Sequence, residues 1–266
     1  DPGQNPGDEI LDWLTGIKKD NGISSVQGLN DAFREKSSLL KIREGIDRTA
    51  EDLNPRFAVI TSDLTTETKA EFPRMRELYW KEPDTVNPAL FVRASMSIPY
   101  FFKPLIICDL PKGEAAKARW DKLARYQGEI PDQAYFVDGG IMSNFPIDLF
   151  HKFNTIPRMP TFGVRLGIDR NEYNKISSPI NLFGAMFNSI RHLHDYDFIL
   201  RNPDYKRLIQ HINIGHHNWL NFALTEEDKL DLFIRGAHAA SVFLRKFNWM
   251  DYKEVRRLMK TGLPQS

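Results

Sequence analysis

The 266-residue chain has one cysteine, Cys108, so no internal disulfide framework and no multi-thiolate zinc site can form. It has no run of about 18 apolar residues, so no segment reads as a membrane-spanning helix. It has no excess of charge. Its 36 basic and 35 acidic side chains leave a formal net charge of +1, which removes the bulk electrostatic reason to expect a nucleic-acid partner. There is no Gly-x-Gly-x-x-Gly and no P-loop, so the usual nucleotide cradles are unsupported. There is no Gly-x-Ser-x-Gly nucleophile elbow either. The nearest start, Gly22-Ile-Ser24, fails because position 26 is Val. The opening Asp1 to Gly7 is a polar, turn-forming stretch without the apolar core of a signal peptide. The expected location is therefore cytoplasmic or peripheral to a membrane.

What is present is a globular composition, 41% hydrophobic and 27% charged, which excludes a disordered tail. Ile10, Leu11, Leu14 and Ile17 share one face of a helix opening at Asp8 and closing at Asn21-Gly22. A second short helix is expected from Ser25 to Phe33, and Lys36 to Asp52 reads as charged surface. Phe57-Ala-Val-Ile-Thr61 reads as a strand. Asn87 to Ser97 reads as a helix stopped by Pro99. Residues 111–132 form a charged helical insertion holding Trp120. Tyr135-Phe-Val137 is a short strand ending at Asp138, and Ile147 to Phe153 a helix. Further strands are expected at Thr161–Gly167 and Leu208–Gly215, and a long helix at Leu182–Leu200. Thr225-Glu-Glu-Asp228 resembles a capping box leading a helix with an apolar stripe from Leu230 to Phe247. Strands alternating with helices favour an α/β fold with a central, mostly parallel sheet.

Two segments bear on chemistry. Asp138-Gly139-Gly140 puts an acid at a strand's end, followed by glycines that let the chain turn sharply. Strand ends in open α/β sheets are where ligands bind, although Asp-Gly is also an ordinary turn dipeptide. Val92-Arg-Ala-Ser95-Met-Ser97-Ile-Pro99-Tyr-Phe-Phe102 joins small residues, a helix-stopping Pro and an apolar corner. His192 and His194 lie about 200° apart around a helix, too far to share an ion easily. His216-His217 follows a strand. All seven histidines read as surface or satisfied polar core.

Taken together and in this order, the two segments resemble the patatin-like phospholipase family. In that family an Arg-Ala-Ser-x-Ala-x-Pro-x-x-Phe stretch precedes a strand carrying Asp-Gly-Gly or Asp-Gly-Ala. Ala58 to Leu64 is similar to the family's central strand and following Asp, and Thr161 to Arg170 to the strand after the Asp-Gly-Gly helix. Asp12-Trp13-Leu14 and Asn21-Gly-Ile23 resemble the region just after the nucleophile. The likeness covers most of residues 8–250. The C-terminal part, from about Ser178, is similar to bacterial members with a long extension.

The resemblance implies a single patatin-like domain over 1–266, three-layered, with the insertion at about 111–132 and a helical extension from about 178. It implies that the N-terminal strand and helix carrying the Gly-rich oxyanion loop and the nucleophile elbow are missing. By the same resemblance Asp138 is the general base of a Ser–Asp dyad, with Gly139 and Gly140 forming the turn after it. The substrate would be a phospholipid or other acyl-ester lipid, hydrolysed without cofactor or metal. This chain, holding only the Asp, is expected to be inactive alone. A hydrophobic face left uncovered would favour self-association, and a peripheral membrane surface is a further expected partner. The alternatives are a non-catalytic lipid-binding or scaffolding protein of the same fold, and an unrelated enzyme pairing Asp138 with Asp63 or Asp148 as two acids.

Overall fold

The structure, a computed structural model, describes residues 3–39, 56–143, 145–150, 155–157, 159–166, 176–178, 181–182, 184–186, 189, 202, 204–217, 221 and 223–261. They fall into two compact units, Asp1–Asn144 and Phe145–Ser266. Most of the expected Leu182–Leu200 helix, with His192 and His194, and most of Lys36–Asp52 lie outside the described residues.

The first unit opens with β1 (Gly3–Asn5) and α1 (Asp8–Asp20), followed by α2 (Val26–Ser38). Asp8 and Glu9 in the first turn of α1 and Lys18 and Lys19 in its last complement the helix dipole. Ser25 caps α2 by accepting from the Gly28 N–H at 3.1 Å. Next come β2 (Val59–Asp63), β3 (Thr68–Phe72), α3 (Ala89–Ser95), β4 (Tyr100–Phe102), β5 (Leu105–Cys108), α4 (Glu114–Ala124), β6 (Gln133–Asp138) and α5 (Gly140–Ser143).

The main sheet runs β3-β2-β6-β5, and every neighbouring pair in it is antiparallel. The α/β class holds, but the mostly parallel sheet expected from strand–helix alternation does not. The reason is two strands outside the strand–helix alternation read from the sequence, β3 because it is mixed in polarity and β5 because it is only four residues long. Thr68-Lys-Ala-Glu-Phe72 is half polar yet forms a hairpin with β2, and Leu105 to Cys108 pairs with β6 across the insertion. Hairpin neighbours are necessarily antiparallel. Parallel pairing occurs instead between β1 and β4.

Helix α3 lies against β2 and β6, and α1 against α3. The core is aromatic: Phe72, Tyr79, Phe91, Trp120 and Phe136 are all fully buried. Phe72 stacks on Phe91 with centroids 4.8 Å apart, and Tyr79 meets Trp120 and Phe136 edge-on. Such pairs each add about 0.5–1.5 kcal/mol beyond area burial. The insertion helix thus contributes Trp120 to the main core.

Lys18 is a polar liability in this unit. Its amine nitrogen is buried and finds no hydrogen-bond partner among the described residues. Burial lowers its pKa from 10.5 to about 8. Between those values the unfolded chain holds the proton more often than the folded one, so stability rises with pH there. Lys18→Met is expected to raise Tm by a few degrees at neutral pH, with the gain shrinking as pH approaches 10.5. Thermal melts at several pH values check this.

The second unit pairs β7 (Gly163–Leu166) with β8 (Ile209–Ile212) in parallel register. Ile147, Tyr205, Leu208, Ile209 and Tyr252 form its buried cluster. Inside it Arg256 Nη1 donates to Asp204 Oδ2 at 2.7 Å, and Nη2 to the Thr155 carbonyl at 2.7 Å. Burial, and then the Asp204 charge, push the Tyr252 phenol up to about 12. Two helices follow, α6 (Glu226–Lys246) and α7 (Trp249–Thr261). The capping box at Thr225 is complete, with Thr225 Oγ1 accepting from Asp228 N and Asp228 Oδ2 from Thr225 N. The apolar stripe on α6 is not buried as its periodicity suggests: Leu230, Phe233, Ile234 and Leu244 are exposed, Phe233 at 73%. Among the described residues, no helix is long and apolar enough to cross a membrane.

Candidate functional site

Strand β6 is the interior strand that carries the acid. Ala134 and Phe136 point into the aromatic core and Val137 is also buried, which anchors the strand up to its last residue. Asp138 is that residue, half-buried and opposite Thr61 in the β2 register. The neighbouring strand reinforces the end of the ladder with side chains. Thr61 Oγ1 donates to the Val137 carbonyl at 2.8 Å, and Ser62 Oγ to the Asp138 carbonyl at 3.0 Å.

The two segments singled out in the sequence meet here. The Asp138 N–H donates to the Ser97 carbonyl at 2.9 Å, and the Gly139 N–H to the Ser95 carbonyl at 3.3 Å. The Arg-Ala-Ser-Met-Ser corner therefore takes up the backbone donors of the Asp-Gly turn. Past the turn, Gly140 N–H donates to Asp138 Oδ1 at 2.7 Å, and Ser143 N–H to the Gly139 carbonyl at 2.9 Å, opening α5. The carboxylate is thus fixed in orientation by the residue two further on, the Asx arrangement that Asp favours at turns.

Gly139 is required by space. A Cβ there would lie 2.1 Å from the Ile60 carbonyl oxygen and 2.6 Å from its carbon. The backbone of β2 passes that close, and only a residue without a side chain admits it.

Arg93 braces the corner. It is 3% exposed, and its guanidinium donates through Nη1 to Ser97 Oγ at 2.5 Å and through Nη2 to the Lys103 carbonyl at 2.8 Å. Nε reaches the Pro6 carbonyl at 3.1 Å, and Nη2 shares that acceptor. Sequence reasoning missed this role because an Arg near a helix end ordinarily reads as surface. Replacing it by Met buries an apolar chain in its place and removes the donors to Ser97 Oγ and to the Pro6 and Lys103 carbonyls. Arg93→Met is expected to cost more than about 2 kcal/mol, read by urea denaturation, with m unchanged.

Asp63 is placed quite differently from a second catalytic acid. It is fully buried at the end of β2. Its Oδ1 accepts from Thr65 N at 2.8 Å, and its Oδ2 from Thr66 Oγ1 at 2.7 Å and Tyr79 OH at 3.2 Å. Burial, reinforced by the Asp63 charge and hydrogen bond, holds the Tyr79 phenol well above its ordinary pKa. This carboxylate organises the β2–β3 turn. Asp148 lies in the second unit, on a short 3₁₀ turn over Ile147–Phe150. A pocket lined by Lys112, Lys117, Gln127 and Glu129 belongs to the insertion. Its lysines are paired with Asp132 and Glu114.

The family model described as patatin-like phospholipase matches residues 5–151, which contain both the Arg93 corner and the Asp138 turn. YqhO of Bacillus subtilis (strain 168), an uncharacterized protein, is 33% identical over 245 residues, spanning 91% of this chain and 68% of its own length. No solved structure matches. The family model takes in more than half of the chain. The chain belongs to the patatin-like phospholipase family.

Proposed function

We propose that this chain carries the basic half of a lipid acyl hydrolase, a Ser–Asp dyad in which Asp138 is the general base and Gly139 and Gly140 form the turn that presents it. The observation that carries the reading is the Asp138 carboxylate. It sits half-buried at the end of an interior strand and is oriented by the Gly140 N–H at 2.7 Å.

In this reaction Asp138 takes the proton of a serine hydroxyl as the oxygen attacks the ester carbonyl carbon. The tetrahedral oxyanion collapses, the C–O bond to the glycerol alcohol breaks, and that alcohol takes back the proton held by Asp138. Water then hydrolyses the acyl-enzyme with the same carboxylate as base. An Asp with an ordinary pKa of about 3.9 is a weak base, so the dyad relies on holding the carboxylate in place beside the hydroxyl. The substrate class is a phospholipid or other acyl-ester lipid, met at a membrane surface without insertion.

These 266 residues include no Gly-x-Ser-x-Gly, so the polypeptide alone lacks the nucleophile and turns over no ester. A fluorescent fluorophosphonate, which labels activated serines, is expected to leave it unlabelled. Labelling that disappears when one of its own serines is changed to Ala overturns that expectation. The two units are read as parts of one patatin-like domain. The non-catalytic scaffold reading predicts that Asp138 is dispensable even when the nucleophile is supplied.

A further inference from the structure

We propose that His216, His217 and Asp228 bind a divalent transition-metal ion of the zinc class, clasping the loop after β8 to the first turn of α6. Their ligand atoms all lie within 4.8 Å of one another. The loop brings the two rings side by side, with centroids 4.2 Å apart. The site lies in the second unit and does not depend on the hydrolase reading.

The chemistry of the donors makes the case. His217 is buried, and its Nε2 is 2.8 Å from Asp231 Oδ2. That oxygen also accepts from Arg235 Nε at 2.7 Å, so Asp231 is an ionised acceptor and Nε2 carries the proton. Nδ1 is the ring's other nitrogen, the one left for a metal ion. It faces Asp228 Oδ1 at 3.5 Å. The other oxygen of Asp228 is occupied by Thr225 N at 3.0 Å and Thr225 Oγ1 at 2.8 Å. Nδ1 of His217, a carboxylate oxygen of Asp228 and the His216 ring therefore converge on one spot. A divalent cation is what such a donor set takes.

The dimensions suit the ion. Metal–ligand bonds of roughly 2.05 Å at tetrahedral angles put ligand atoms about 3.3 Å apart. The Nδ1 to Oδ1 separation already approaches this, and exposed His216 can turn to complete it. Two imidazoles and one carboxylate favour zinc over calcium or magnesium, which prefer all-oxygen sites. Three protein ligands leave a fourth position for water. The Asp231–His217 hydrogen bond is the outer carboxylate–histidine contact that orients metal-binding rings. Asp231 is accordingly a positioning residue, held in turn by Arg235.

The test is calorimetric titration of tag-free, chelator-stripped protein with Zn2+ at neutral pH, alongside the visible spectrum with Co2+. One equivalent is expected to bind in the micromolar range or tighter, with intense tetrahedral Co2+ bands. Exposed His216 can be changed to Ala without disturbing the fold, and His216→Ala is expected to weaken binding at least about tenfold. Asp231→Asn is expected to weaken it about 10–100-fold and to alter the Co2+ spectrum, an effect that loss of packing alone does not produce. Absence of stoichiometric binding by the wild type overturns the proposal. So does equal affinity in His216→Ala and the wild type, both with native circular dichroism. If the cluster is instead an ion pair of protonated His217 with its two aspartates, Zn2+ produces no saturable heat and the proposal fails.

Discussion

Asp138→Asn, placed in a longer polypeptide that supplies a Gly-x-Ser-x-Gly segment, lowers the rate of ester hydrolysis by about 10²–10⁴-fold, the range expected for loss of a general base. The substitution is chosen to leave the structure alone. Asparagine keeps an oxygen that can accept from Gly140 N–H, now at 2.7 Å from Asp138 Oδ1. The backbone bonds from Asp138 N to Ser97 O and from Gly139 N to Ser95 O are untouched. Tm should therefore change little while turnover collapses. The change removes the negative charge and the basicity but not the shape. KM for a short-chain ester should move far less than kcat, because in the proposed dyad the carboxylate acts on the serine proton rather than on substrate binding. Equal rates for the two proteins would remove Asp138 from catalysis.

The largest effect on folding is expected one residue later. Gly139→Ala places a Cβ 2.1 Å from the Ile60 carbonyl oxygen and 3.3 Å from Thr61 N, both backbone atoms of β2. Backbone in the middle of a sheet cannot step aside as a flexible side chain can. To relieve the clash β2 and β6 must separate, which breaks the Thr61–Asp138 register and the bonds that Thr61 and Ser62 make to the carbonyls of Val137 and Asp138. A loss above about 4 kcal/mol is expected, enough to unfold a marginally stable unit. Gly16→Ala is the control. Its site in the middle of α1 has nothing within 4 Å, and the change should stabilise by about 0.5–1 kcal/mol. Urea denaturation of the two variants beside the wild type distinguishes the outcomes. A Gly139→Ala protein as stable as wild type would mean that β2 does not pass this close to the turn.

Features set by neighbours in sequence were the ones legible beforehand. The helix from Asp8 to Asn21, the Ser25 start of α2 and the capping box at Thr225 are local hydrogen-bonding patterns, and side-chain identity announces them. So is a short apolar strand running into Asp138-Gly-Gly. Pairing between distant strands is not local. Thr68-Lys-Ala-Glu-Phe72 alternates too weakly to read as a strand, and without it the sheet looked parallel. The bonds joining residues 95 and 97 to 139 and 138 are backbone to backbone and leave no trace in residue type. Arg93 is hidden for the opposite reason: a charged side chain suggests solvent, and its acceptors at Pro6 and Lys103 lie 87 and 10 residues away. The α6 stripe shows periodicity overstating burial, since a 3.6-residue repeat identifies a face but not what covers it. His217 reads as surface or satisfied polar core; that Asp228 and Asp231 face its two ring nitrogens is a consequence of how the loop folds onto the helix start.

In the proposed dyad one carboxylate, unaided by histidine, activates a serine. The rate of fluorophosphonate labelling of that serine in the longer polypeptide tests it without requiring turnover or a known lipid. The second-order labelling constant of Asp138→Asn is expected to fall by the same large factor as hydrolysis, at unchanged Tm. A variant that labels as fast as the wild type would contradict it.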